Sequence, residues 1–121
     1  MALITSISGI RGTIGGKPGE ALTPSDIIRF STAYAEFIRF RFPGMKPTVI
    51  VGRDARISGP MVESLVAATL SACGINIILL GHATTPTVEM AVLAENTQGG
   101  IIITASHNPL QWNALKLLGP D

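Results

Sequence analysis

The chain has 121 residues, of which 46% are apolar and 14% charged, with a formal net charge of +1. So neutral a balance gives no electrostatic footprint for nucleic acid or an anionic membrane surface, and no apolar run reaches the roughly 18 residues of a spanning helix. One cysteine, Cys73, permits no internal disulfide and suits a reducing compartment. With no basic stretch leading into a long apolar region at the N-terminus, cytoplasm is the expected location. Charged residues fall well below the usual value of about 25%, which predicts apolar surface turned towards something other than water, such as further domains.

In chain order the pattern alternates between strand and helix periods, and residues 1–121 read as one domain. Leu3 to Ser8 reads as a short strand leading into Gly9, Gly12, Gly15 and Gly16, a flexible loop or hairpin. Thr23-Pro24-Ser25-Asp26 supplies an N-cap, a proline in the first turn and an acid beside it. The helix that follows runs to about Phe40, with Ile27, Phe30, Tyr34 and Ile38 on one face. Pro47 to Gly52 reads as a strand. Ser58 is the expected cap of a second helix, Pro60 to Cys73, which Gly74 ends. Ile75 to Leu80 is another apolar strand, and Thr85-Pro86 opens a third helix that closes near Asn96. Gly100 to Thr104 is a strand of buried character, and Leu115 to Leu118 a final short one. Continuous apolar strands alternating with helices argue for a mostly parallel sheet covered on both faces. Cys73, late in the second helix, reads as a core residue.

The segment after the 100–104 strand is Thr104-Ala-Ser106-His-Asn-Pro109. Pro109 fixes its own φ and biases Asn108 towards extended backbone, while Asn108 can bond back to nearby backbone groups. Such a loop can hold the Ser106 hydroxyl rigidly at a sheet edge. A hydrolase elbow needs Gly-x-Ser-x-Gly, and Ala105 and His107 do not supply it. His107 neighbours Ser106 and, in an extended segment, points to the opposite face, so it is poorly placed as a direct base. What remains is a serine that carries a phosphoryl group, or a loop that binds phosphate through donors. A phosphoserine brings roughly two negative charges and three acceptor oxygens, which His107, Asn108, Lys116 or a separate arginine would suit. In open α/β sheets ligands sit beyond the carboxyl ends of the strands, where Arg53 and Asp54, His82, and Ser106 follow three successive strands. The glycines at 9, 12, 15 and 16 do not form Gly-x-Gly-x-x-Gly. Gly16-Lys17 is followed by Pro18 where a Walker loop needs Ser or Thr. Neither is a nucleotide site.

Thr104-Ala-Ser-His-Asn-Pro109 resembles the phosphoserine loop of the α-D-phosphohexomutases, the family of phosphoglucomutase, phosphomannomutase and phosphoglucosamine mutase. Ser8-Gly-Ile-Arg-Gly12 is similar to that family's N-terminal arginine turn, and Val51-Gly-Arg-Asp-Ala-Arg-Ile-Ser-Gly59 to its strand-to-helix motif. Thr85-Pro-Thr87, Asn113 and Lys116 follow in the family's order. The family usually reads Tyr-Asn-Gly-x-Lys where this chain has Trp112-Asn-Ala-Leu-Lys116. If that glycine takes φ > 0, Ala114 costs about 1–2 kcal/mol of backbone strain, or the turn differs.

The resemblance implies a three-layer α/β/α sandwich with a mixed, mostly parallel sheet, the first of four domains in a longer enzyme. It implies phosphoryl transfer between the 1- and 6-positions of a hexose phosphate through a bisphosphate. Ser106 would carry the phosphoryl group. Lys116 would act as general acid/base, Arg11 would face the phosphoryl group, and His107 would stabilise transferring charge, with Asn108 and Arg53 binding phosphate. Mg²⁺ would bind through the phosphate on Ser106, its other ligands lying in the next domain, and a glucose 1,6-bisphosphate-type activator would prime the serine. The isolated domain is expected to lack turnover and to self-associate through apolar surface. The alternative is a non-catalytic phosphate-binding or interaction module on the same scaffold.

Overall fold

The computed structural model describes residues 3–6, 9–13, 22–54, 59–104 and 112–118, with side chains at 22–54, 59–104 and Leu115. The elements, in order, are β1 (Leu3–Ser6), β2 (Gly9–Thr13), α1 (Pro24–Arg41), β3 (Thr48–Arg53), α2 (Gly59–Ala72), β4 (Asn76–His82), α3 (Thr85–Ala94), β5 (Gly99–Ile103) and β6 (Trp112–Leu118).

Local chemistry explains most helix ends. Thr23 and Asp26 form a reciprocal capping box: the Thr23 N–H donates to Asp26 Oδ2 at 3.0 Å, and the Asp26 N–H donates to Thr23 Oγ1 at 3.4 Å. The Thr23 hydroxyl also donates to Asp26 Oδ2 at 2.6 Å. Helix α2 stops at Gly74, whose φ of 83° suits the left-handed position after a helix. Asparagine fills the same role after α3, where Asn96 has φ 52°. Thr84 caps the start of α3 by accepting from the Thr87 N–H at 3.2 Å. The expected cap of α2, Ser58, lies outside the described residues.

The six strands form one sheet in the order β1-β2-β6-β5-β3-β4. β3 pairs in parallel with β4 and β5, and the remaining three ladders are antiparallel. The sheet is therefore mixed, with four of its six strands running in one direction. Side chains alternate between two cores. Val49, Val51, Ile101, Ile103 and Leu115 join Ile27, Tyr34 and Ile38 of α1 and Val62, Val66 and Leu70 of α2. Ile50 and Ile102 face the other way, against Val88 and Val92 of α3. These are the three layers of an α/β/α sandwich. Full burial of each such aliphatic side chain contributes about 1.5–3 kcal/mol. Cys73 is half-buried and packs against the larger core. Large apolar side chains also reach the surface, including Phe40 on α1 and Met90 and Leu93 on α3.

Of the loop or hairpin expected after the first strand, the structure shows the hairpin, while the last strand differs from the sequence expectation. Gly9 and Gly12 lie inside β2, the second arm of a hairpin with β1 and the partner of β6. Pairing on both sides outweighs glycine's weak strand preference. β6 begins at Trp112, three residues before the expected Leu115, because β2 extends its ladder. Ala114 consequently sits within that ladder opposite Arg11. Among the described residues Asn96 is the only non-glycine with positive φ, so Ala114 carries no left-handed strain.

Candidate active site

Strand order places β3, the first of the parallel strands, between β5 and β4, with α2 and α3 on opposite faces. Such a reversal opens a crevice beyond the carboxyl ends of the strands. Here the exits of β3, β4 and β5 are level: Arg53 is opposite both His82 and Ile103. The Asp54 N–H donates to the Ile103 carbonyl at 3.0 Å, and the Ala83 N–H donates to the Arg53 carbonyl at 2.9 Å. Backbone bonds thus tie the end of β3 to the ends of both neighbours.

Side chains add two further ties. The Thr104 hydroxyl donates to Asp54 Oδ2 at 2.8 Å, across the exits of β5 and β3. Thr104 is buried and Asp54 half-buried. Arg53 Nε stands 3.5 Å from Glu63 Oε2 of α2, with the two side chains 19% and 16% exposed. Gly59 of α2 packs beside this pair: a Cβ there would lie 3.4 Å from both Arg53 Cδ and the Asp54 carbonyl, an ordinary contact. His82 ends β4 and is exposed.

The opposite half of the sheet reaches the same edge. The β5–β6 ladder ends at Ile103 opposite Leu115, but the β2–β6 ladder continues through Ala114, Asn113 and Trp112. Arg11, opposite Ala114, is therefore level with the chain that leaves β5. Lys116 lies opposite Gly9 on one side and Ile102 on the other.

The structure thus brings the strand-end residues Arg53, Asp54 and His82 to one edge, and the backbone of Arg11 to the same level. Ser106, His107, Asn108 and Arg56 lie outside the described residues. Sequence reasoning missed Thr104 and Glu63 as members of this edge. The available signals were a lone hydroxyl closing an otherwise aliphatic strand, and an acid early in the helix that follows an arginine. Among the described residues no three His, Cys, Asp or Glu side chains group as metal ligands, and no helix is long and apolar enough to cross a membrane.

This is an α/β/α domain with polar groups collected at the carboxyl edge of its parallel strands. Its residues 3–121 match the family model for phosphoglucomutase/phosphomannomutase, alpha/beta/alpha domain I. The chain belongs to that family, as its N-terminal domain I. It is 37% identical over 116 residues to a phosphoglucosamine mutase of Burkholderia multivorans, covering 93% of this chain and 25% of the relative. A phosphoglucosamine mutase of Herminiimonas arsenicoxydans is 38% identical over 112 residues, covering 89% and 24%. Among solved structures, a putative phosphomannomutase from Thermus thermophilus superposes with a TM-score of 0.82 at 26% identity, covering 99% of this chain and 26% of that one. A phosphoglucomutase/phosphomannomutase family protein from Burkholderia thailandensis gives 0.75 at 28% identity, covering 93% and 25%. The chain spans about a quarter of the length of the curated relatives it matches.

Proposed function

We propose that this chain is the phosphoserine-bearing domain of a cytoplasmic phosphohexomutase. Ser106 carries a phosphoryl group and passes it to a free hydroxyl of a hexose monophosphate, giving a bisphosphate and a free serine. The bisphosphate then turns over and returns its other phosphoryl group to Ser106. Catalysis of this kind is largely positioning and charge stabilisation.

The observation that carries this reading is the level edge at which β3, β4 and β5 end, immediately before Thr104-Ala-Ser106. Arg11 is level with that exit through the overshoot of the β2–β6 ladder, which supports its role facing the phosphoryl group. Positions 11, 114 and 116 share one phase of strand alternation, which supports Lys116 as the acid/base that takes the proton of the attacking hydroxyl. His107 and Asn108, flanking Ser106 in sequence, stabilise the transferring charge. Arg53 binds phosphate, with Glu63 facing its Nε edge at 3.5 Å.

Among the described residues no three His, Cys, Asp or Glu side chains group together, and Mg²⁺ would supply charge neutralisation at the transferring phosphate. It is proposed to bind the phosphate on Ser106 with ligands from the rest of a longer chain. On this reading the remaining domains supply sugar recognition, and the chain alone shows no turnover and self-associates through residues such as Phe40 and Met90.

The test is to incubate the full-length protein with Mg²⁺ and glucose 1,6-bisphosphate and map the phosphate by tandem mass spectrometry. Phosphate on Ser106 is expected. Phosphate confined to another residue refutes the assignment, and phosphate on none favours a non-catalytic module.

A further inference from the structure

We infer that Thr104 and Asp54 are positioning residues that set the aim of the phosphoryl acceptor. This inference rests on the reading that Ser106 is that acceptor. β5 is aliphatic through Ile101, Ile102 and Ile103, all buried, and a further apolar residue at 104 would continue the strand without a polar group to satisfy. Instead the chain buries a hydroxyl there and gives it a carboxylate oxygen 2.8 Å away. Hydrogen bonds to an ionised acceptor are roughly twice as strong as neutral ones.

The bond is not needed to join the strands. The Asp54 N–H already donates to the Ile103 carbonyl at 3.0 Å, and β3 and β5 are paired from Val49↔Gly99 to Arg53↔Ile103. What the hydroxyl adds is a fix on residue 104 itself, two residues before Ser106 in the chain. Asp54 is in turn held from below. Arg53, its neighbour, is paired with Glu63 of α2 and bonded through its carbonyl to Ala83. Thr104 is thereby tied to the end of β3 and, through the Arg53 carbonyl, to the residue that follows β4. A phosphoryl acceptor must meet its donor in line, and misplacement by about 1 Å costs on the order of a hundredfold in rate.

The experiment measures single-turnover phosphorylation of Ser106 by glucose 1,6-bisphosphate in the full-length protein, for wild type, Thr104→Val, Thr104→Ser and Asp54→Asn. Thr104→Val keeps the shape and removes the hydroxyl. It is expected to lower the maximal rate about ten- to a hundredfold with little change in half-saturation, in protein that melts cooperatively. Thr104→Ser, which restores the hydroxyl, is expected to stay within about threefold of wild type. If Thr104→Val does not fold, Asp54→Asn takes its place with a smaller expected loss, about three- to tenfold, because its amide oxygen still accepts from Thr104 but as a neutral acceptor. A folded Thr104→Val or Asp54→Asn that phosphorylates at the wild-type rate overturns the inference, as does a Thr104→Ser that fails to rescue. Wild-type protein that takes no phosphate on Ser106 overturns the mutase reading instead, and this inference with it.

Discussion

Val88 of α3 rests directly on Gly52 of β3: a Cβ at position 52 would stand 2.6 Å from Val88 Cγ2 and 3.2 Å from Ala83 Cβ. Gly100 of β5 repeats the arrangement, with Val92 Cγ2 at 2.7 Å from its absent Cβ. The helix over this face is held close because both strands present bare backbone beneath it. Gly52→Ala and Gly100→Ala are each expected to destabilise the fold by about 1–3 kcal/mol through overpacking, measured by urea denaturation. Gly74→Ala is the contrast. No atom lies within 4 Å of the place its added methyl would occupy, but its φ is 83°, so the loss there reports backbone strain alone, about 1–2 kcal/mol. Trimming Val88 to Ala should relieve Gly52→Ala and leave Gly74→Ala unchanged.

Tyr34, the only tyrosine in the chain, is buried in α1 and its hydroxyl donates to the Gly100 carbonyl at 3.5 Å. Burial raises its pKa from 10.0 to about 12. A raised phenol pKa means that the folded chain keeps its proton while the unfolded chain loses it. Stability is therefore full below pH about 10 and falls as pH rises towards 12, by about 2–3 kcal/mol for this group. Tyrosinate absorbance during an alkaline titration should appear together with unfolding and not before it. Tyr34→Phe should flatten that part of the pH profile at a cost near neutrality of about 1 kcal/mol.

Much of the fold is legible in the residues because the deciding signals are local. Thr23-Pro24-Ser-Asp26 specifies the start of α1 within four residues, Gly74 marks the end of α2, and the aliphatic runs at 49–51 and 101–103 become buried strands. The glycine-bearing β2 and the early start of β6 are less legible, because each is a strand only through the other. The site follows the same division. Arg53, Asp54 and Arg11 stand out from motif and strand end. Thr104 and Glu63 emerge only when β3, β5 and α2 are brought together, since their partners lie 50 and 10 residues away in sequence.

The capping box of α1 is buried at both partners. Thr23→Ala therefore removes more than a surface cap, because it takes away the hydroxyl bonded to Asp26 Oδ2 at 2.6 Å in the interior. The expected loss is about 1–2 kcal/mol for the cap, with a further contribution of about 1 kcal/mol from the weakened solvation of the buried carboxylate. Thr23→Ser keeps both bonds and should stay within about 0.5 kcal/mol of wild type. Thermal melts of the two variants, read by far-ultraviolet circular dichroism, separate cap from packing. Equal losses for Ala and Ser would mean that the Thr23 methyl, not its oxygen, holds the end of α1.

Arg53 and Glu63 pose a stability question and a functional one. Their facing atoms, Nε and Oε2, are buried and 3.5 Å apart, and neither has a hydrogen-bond partner among the described residues. A pair with such loose geometry contributes little beyond offsetting its own desolvation. Glu63→Leu alone leaves the guanidinium edge unopposed and should cost about 1–3 kcal/mol. Arg53→Met combined with Glu63→Leu should recover most of that loss, because the buried charge goes with its partner. Urea denaturation of the two singles and the double closes the cycle. The double variant nevertheless lacks the cation assigned to phosphate. Its half-saturation for glucose 1,6-bisphosphate in Ser106 phosphorylation should rise at least about tenfold, the equivalent of one charge-assisted hydrogen bond. Recovered stability with an unchanged half-saturation would reduce Arg53 to a brace between β3 and α2.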